Sequence, residues 1–216
     1  MNTRHDAVLA TNAAYERDAG AWAARLGGGG FLTTRFQRFR DSLPPGSRVL
    51  DVGCGPGADA ALLAGMGMNV IALDLTSAML HIARERRKAL PVVQGDSRAL
   101  PFPAAVFDGI WASASLLHLP KSQIDIALRE VRRTLRAQGA LHSFMKVGDH
   151  DGLMTQEQRG GGNPVRGARY FAHYQPAEWS GRLRDAHFEV VEQRVENVDA
   201  QLPDTPWLLT YARAST

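Results

Sequence analysis

Three aspartates and one glycine-rich loop carry most of the chemistry visible in this chain. Asp51 lies in the run Arg48-Val49-Leu50-Asp51-Val52, two positions before Gly53-Cys54-Gly55-Pro56-Gly57. A carboxylate at such a strand end suits a cation, for instance an amino-acid ammonium, and repels a pyrophosphate. Glycines in the turn let a bulky ligand approach the backbone, and some positions there need positive φ. The N–H groups that open the following helix favour a carboxylate or phosphate nearby. Asp74 ends a second apolar run, Val70-Ile71-Ala72-Leu73, where its two oxygens can accept from both hydroxyls of a ribose. Asp96, in Gln94-Gly95-Asp96-Ser97, ends a third, where a carboxylate can accept from an exocyclic amine such as that of adenine. The three carboxylates line up with an amino acid, a ribose and a base.

Taken alone, the loop is ambiguous. Gly53-x-Gly55-x-x-Ala58 also satisfies the loose dinucleotide fingerprint, with an acidic residue, Asp74, about twenty positions further on. A nicotinamide oxidoreductase or a dinucleotide-binding module would share this loop but leaves Asp51 and Asp96 without a role. A Walker A loop needs a Gly-Lys-Ser/Thr ending that is not here. Cys54, between two glycines, reads as a small buried residue rather than a reactive thiol. On the acceptor side, His118 is a candidate general base or substrate contact. Tyr170 and His173, in the aromatic and cationic stretch Arg169-Tyr170-Phe171-Ala172-His173-Tyr174, are candidates for a substrate-side or proton-accepting role.

These residues need a frame. Helical spacing over 6–26 (Val8, Leu9, Ala13, Trp22, Leu26) ends at Gly27–Gly30, and a second helix is expected over 31–42. From residue 48 onward strand-like and helix-like segments alternate: strand 48–52, helix 58–66, strand 69–73, helix 77–89, strands 91–94 and 106–112, helix 122–136, strand 140–146. Alternation of this kind predicts a parallel sheet flanked by helices. Residues 148–174, with Gly160-Gly161-Gly162-Asn163-Pro164, follow neither period and read as a lid. A helix over 176–186 and strands over 187–195 and 207–213 complete the chain.

At 216 residues with 44% hydrophobic and 22% charged residues, the chain suits one decorated globular domain rather than disorder or a fibrous repeat. The domain is read as 1–216, divided into an N-terminal helical cap (1–45), a cofactor-binding core (46–146), a lid (147–175) and a C-terminal helix with strands (176–216). A single cysteine and no zinc-type spacing exclude a disulfide scaffold and a structural zinc fold, so no metal is expected. No signal-type apolar core opens the sequence and no long apolar run follows, so a cytoplasmic protein without a membrane segment is expected. The net charge of +3 permits a nucleic-acid partner but does not demand one.

As an ordered set, Val49-Leu50-Asp51-Val52-Gly53-Cys54-Gly55-Pro56-Gly57, Asp74, Gly95-Asp96, Leu100-Pro101-Phe102 with Phe107-Asp108, and Leu117-His118-Leu119 resemble the class I S-adenosylmethionine-dependent methyltransferases. The likeness covers about residues 11–146 well and extends through the Phe188-Glu189-Val190-Val191 strand. It implies a Rossmann-like, doubly wound α/β sheet, mostly parallel with an antiparallel last strand, helices on both faces and an N-terminal helical cap. It further implies S-adenosyl-L-methionine as cofactor, with Asp51, Gly53 and Gly55 around the methionine moiety, Asp74 at the ribose, and Asp96 with Ser97 at the adenine. Leu75 and Met79 would give apolar contact, and Ala112 and Ser113 backbone contacts near the sulfonium. Tyr15-x-x-x-Ala19-x-x-Trp22 is similar to an aromatic-x-x-x-Ala-x-x-aromatic pattern that covers the cofactor; Trp22 stands where tyrosine is common. The expected reaction is methyl transfer to an O, N or S atom of a small-molecule acceptor, leaving S-adenosyl-L-homocysteine. A tRNA or other RNA methyltransferase is the second reading.

Overall fold

The computed structural model describes residues 3–25, 33–155, 165–197 and 206–216. Two N-terminal helices, α1 (Thr3–Arg25) and α2 (Thr33–Asp41), precede the alternating core. That core runs β1 (Arg48–Val52), α3 (Ala58–Gly65), β2 (Asn69–Asp74), α4 (Ser77–Arg86), β3 (Val92–Gln94), β4 (Phe107–Ser113), α5 (Ile124–Thr134) and β5 (Leu135–Lys146). A short two-stranded ladder, β6 (Asp151–Met154) and β7 (Arg169–Ala172), leads to α6 (Pro176–Asp185), β8 (Phe188–Glu196) and β9 (Trp207–Ala214).

The seven-stranded sheet has the order β3-β2-β1-β4-β5-β9-β8. Strands β1 to β5 are parallel, and β9 is antiparallel to both β5 and β8. The expected doubly wound sheet with a reversed last strand is therefore the observed one. β1 and β4 are neighbours although β2 and β3 intervene in sequence, so the connections leave in opposite directions and open a crevice at their carboxyl ends.

Two apolar clusters cover the two faces. One joins Leu50, Ile110, Leu128, Trp179 and Phe188; the other joins Phe36, Phe39, Val49, Leu63 and Trp111. Trp111 lies between Phe36 (centroids 4.5 Å apart) and His142 (3.8 Å), fixing the side of β4. Gly109 is the close-approach point of this packing: an added Cβ would lie 2.7 Å from Leu43 Cδ1 and 2.8 Å from Phe39 Cζ. Phe39 is wholly buried and cannot retreat. Gly109→Ala is expected to lower stability by about 1–3 kcal/mol, readable as a lower urea midpoint at unchanged slope.

Several bounds differ from expectation, the helix expected over 77–89 ending at Arg86 and the strand expected over 140–146 beginning at Leu135. The helix expected over 122–136 ends at Thr134, because Leu135 already pairs with Phe107 across β4 and β5. The segment 148–174 is not wholly irregular: Asp151 to Met154 pair antiparallel with Arg169 to Ala172, and the ladder holds because Phe171 and Ala172 are buried against the core. The glycine runs 27–30 and 160–162, with Glu157 and Arg159, lie outside the described residues. Among the described residues no helix is long and apolar enough to cross a membrane.

Candidate functional site

The crevice opens into a cavity of about 450 Å³, within the range of small-molecule sites. Its floor is the loop after β1. Gly53, Gly55 and Gly57 all have positive φ (73°, 53° and 79°), a conformation that other residues reach only at a cost. The loop is tied down by the carbonyl of Leu73, which accepts from the amides of Gly53 (2.7 Å) and Cys54 (3.0 Å). At Gly53 the backbone passes so close to Ser115 that an added Cβ would lie 2.3 Å from Ser115 Cβ, whereas at Gly55 it would project into open space.

The three carboxylates named from sequence all line this cavity, on β1, on β2 and just past β3. These strands are adjacent in the sheet, so the groups step across it by about 5 Å per strand. Asp51 is buried and its Oδ2 has no hydrogen-bond partner among the described residues. Burial, with the carboxylates of Asp59 and Asp74 nearby, holds its pKa well above the ordinary carboxylate range. Asp74 is oriented by two amides, Gly55 N–H and Thr76 N–H, each donating over 2.8 Å. Burial raises its pKa against those bonds. Asp96 is gripped by Arg98, whose Nε donates to both carboxylate oxygens at 3.0 Å, and Arg98 in turn reaches Gln123.

Sequence reasoning missed Asp59, in the first turn of α3. It lines the same cavity and accepts from Trp111 Nε1 over 2.8 Å. Burial raises its pKa, while Trp111 and Arg35 oppose the shift. Its position two residues past the glycine loop was the available signal. Cys54 is buried, and burial with the neighbouring carboxylates pushes its thiol pKa far up, so it stays a thiol.

Gly53, Gly55, Leu75, Met79, Ser97 and Ser113 line the cavity as expected, but Ala112 does not: it is wholly buried inside β4. Its place falls to Ala114 and Ser115, where the chain turns with Ala114 at φ 52°. A left-handed alanine at a cavity wall is a strained conformation set by the fold around it.

Tyr15 and Trp22 reach the cavity from α1, edge to face at 6.0 Å. His118 reaches it from the turn after β4, with Nε2 3.0 Å from the Tyr15 hydroxyl. Tyr170 and His173 do not join them. The Tyr170 hydroxyl donates to Asp151 over 2.7 Å, so its ring is held on the outer ladder. His173 sits behind the ladder beside His150, its pKa lowered to about 4 by burial and by Lys146, His150 and Lys121. Neither is among the residues that line the cavity.

Helix α1 is a strap across the site. On one side Glu16 accepts from the amides of Ser77 (2.6 Å) and Ala78 (2.9 Å), capping α4. On the other, Thr11 accepts from Tyr170 N–H (2.8 Å), and Asp18, at the kink of α1, takes the Arg166 amide (2.8 Å) and guanidinium. Burial would raise the Asp18 pKa, but hydrogen bonds from Arg17 and Arg166 hold it below the usual value. Two arginines of the expected lid are committed within the fold: Arg166 to Asp18, and the buried Arg169 to Tyr15.

Residues 49–139 match a family model described as a methyltransferase domain. A fatty-acid O-methyltransferase from Mycolicibacterium smegmatis is 32% identical over 71% of this chain and 48% of its own length. A demethylmenaquinone methyltransferase from Renibacterium salmoninarum is 37% identical over 45% of this chain and 40% of its own. The chain thus spans less than half the length of these curated relatives. In fold it is similar to the Burkholderia thailandensis 1,6-didemethyltoxoflavin-N1-methyltransferase, solved with 1,6-didemethyltoxoflavin and S-adenosylhomocysteine. The TM-score is 0.77 at 20% identity, covering all of this chain and 92% of that one.

Proposed function

We propose that the chain is a class I S-adenosylmethionine-dependent methyltransferase and that it methylates an O, N or S atom of a small-molecule acceptor in the cavity described above. The observation that carries the reading is the unpartnered, buried Oδ2 of Asp51, in a cavity that also presents Asp74 and Asp96 on the next two strands. A buried carboxylate oxygen without a partner is costly, and a ligand ammonium relieves that cost. The open space at Gly55 leaves room for the ligand backbone, and the cavity fits the cofactor on both counts.

When bound, S-adenosylmethionine supplies a methyl group activated on a sulfonium. Asp51 would hold the ammonium and Asp74 the ribose hydroxyls, with Asp96 and Ser97 at the adenine. Leu75 and Met79 would give apolar contact. The protein's main contribution is alignment and exclusion of water, for which the α1 strap and the apolar wall of Val8, Leu116, Leu119 and Phe144 are suited. The fatty-acid and demethylmenaquinone relatives support a small acceptor over a nucleic acid. So does the internal commitment of Arg166 and Arg169.

Calorimetric titration with S-adenosylmethionine, S-adenosylhomocysteine, NAD and NADH tests the reading. Binding of the first pair alone is expected; binding of the nicotinamide pair alone would overturn it. In the same titration Asp74→Ala is expected to weaken S-adenosylhomocysteine by about 1.5–3 kcal/mol, through loss of charged hydrogen bonds to two hydroxyls. Unchanged affinity would remove Asp74 from the site.

A further inference from the structure

The mouth of the cavity holds a hydrogen-bond chain whose direction is set by its two ends. At one end the Arg169 guanidinium donates to the Tyr15 phenol oxygen, and a guanidinium can only donate. At the other, the Tyr170 carbonyl, which can only accept, lies 2.7 Å from His118 Nδ1, so Nδ1 carries the proton. Nε2 of the neutral imidazole then has its lone pair toward the Tyr15 hydroxyl 3.0 Å away and receives that proton. Tyr15 and His118 both line the cavity, although 103 positions separate them in the chain.

The Arg169 guanidinium favours negative charge developing on the phenol oxygen to which it donates. Arg169 is 2% exposed and forms no ion pair with any described carboxylate. Its guanidinium lies over the rings of Tyr15, Trp22 and Phe171 at 4.9, 5.5 and 5.2 Å. Lys146, from β5, lies over Phe171 at 5.2 Å, and Phe171 packs on His118 with centroids 4.8 Å apart. Arg169 and Lys146 thus bring two cations near the pair, while the carboxylates of Asp51, Asp59, Asp74 and Asp96 line the same cavity.

We infer that Tyr15 and His118 form a proton relay for the acceptor, with Arg169 as the positioning residue; this rests on the methyltransferase reading above. The acceptor's O–H or N–H proton passes to the Tyr15 oxygen as the phenol proton passes to His118 Nε2. The electron pair of the broken bond stays on the acceptor heteroatom and forms its new bond to the methyl carbon. The carbon–sulfur bond of the donor breaks with its pair going to sulfur. Tyr15 ends neutral, His118 ends as imidazolium, and that proton later returns to water. The acceptor class is therefore a compound that must lose a proton, such as a phenol, an enol or a ring N–H, rather than a carboxylate, which needs no relay.

Methylation of phenol, 4-nitrophenol and octanoate tests this, with S-adenosylhomocysteine affinity measured on every variant. Turnover of the phenols is expected. Tyr15→Phe should lower kcat on phenol by about a hundredfold, a loss that shrinks on 4-nitrophenol, which ionises near neutral pH, and exceeds any change in cofactor affinity. Arg169→Met should lower kcat in the same acceptor-dependent way, and Arg169→Lys should recover part of it. Nitrogen-15 spectra of the histidine rings should show His118 as the Nδ1–H tautomer. An Nε2–H tautomer, equal losses on both phenols, or turnover of octanoate but of neither phenol would overturn the relay. Turnover of no probe by protein that binds S-adenosylhomocysteine would overturn the acceptor class. Arg169→Met losing cofactor affinity more than tenfold, with the tautomer unchanged, would make Arg169 a cofactor ligand and also overturn the relay. Failure of the unmodified protein to bind S-adenosylhomocysteine would remove the methyltransferase reading on which the relay rests.

Discussion

Gly53→Ala is expected to abolish S-adenosylhomocysteine binding and to lower the stability of the free protein by about 2–5 kcal/mol, the sum of a backbone and a packing cost. The backbone cost arises because φ at Gly53 is 73°, where a Cβ crowds the following carbonyl, for about 1–2 kcal/mol. The packing cost arises because the new Cβ would lie 2.3 Å from Ser115 Cβ and 3.1 Å from its Oγ, for about 1–3 kcal/mol more. Ser115 cannot swing away freely, since its chain segment follows the strained Ala114 and leads into the buried Leu116 and Leu117. Relief must come from moving the loop off the end of β4, which breaks the cofactor cradle. Gly55→Ala is the matched control: its φ is 53°, but its Cβ meets nothing within 4 Å. That variant should lose affinity with a smaller loss of stability. Urea denaturation and calorimetry on the two proteins decide the matter, and equal stability of Gly53→Ala and the parent would refute the account.

Asp51→Asn is expected to move stability and affinity in opposite directions. S-adenosylhomocysteine binding should weaken by about ten- to a hundredfold, through loss of a charge-assisted contact to the ammonium. The free protein should become more stable than the parent at pH 8, because a buried carboxylate with carboxylate neighbours no longer has to ionise. The pH dependence gives the sign. In the unfolded chain Asp51 titrates near 3.8, and in the folded protein well above that value. Between the two, the folded state holds a proton that the unfolded state has released, so the group's contribution to stability falls as pH rises through that window. Below the window the parent and the variant should converge; above it their difference should be greatest and constant. Asp59 and Asp74, whose pKa values are also raised, repel Asp51, so removing its charge also relieves them, and the difference between the two proteins carries the same sign. A variant less stable than the parent at pH 8, or a difference that does not change with pH, would contradict this.

What could be read from sequence was the part of the site built from neighbours along the chain. The glycine loop and the aspartates at three strand ends are local: a strand end followed by a turn places each side chain at the carboxyl edge of the sheet whatever the rest of the chain does. Residues brought together by packing were harder to place. Asp59 looks like an ordinary acidic residue in a helix's first turn until Trp111 and burial identify it as part of the cavity wall. Ala112 was named from its place at a strand end, yet the alternation of β4 turns it inward and the strained turn hands its position to Ala114. Tyr170 and His173 stood out by composition, but their facing depends on the β6–β7 pairing, which two short strands rich in polar residues do not announce. Of Tyr170, it is the backbone carbonyl rather than the ring that matters at the mouth, a role no side-chain pattern encodes.

Among the described residues the strap formed by α1 buries only small apolar side chains, Ala7, Val8, Ala14, Ala19 and Ala23, and is otherwise tied by polar groups: Glu16 to the start of α4, Asp18 to Arg166, Thr11 to Tyr170. Water can replace each of these polar bonds, so undocking the strap costs less than opening the large aromatic and aliphatic core beneath the sheet. Ligand traffic can proceed through a partly opened state while the seven-stranded scaffold, and with it the alignment of the three carboxylates, stays folded from one turnover to the next.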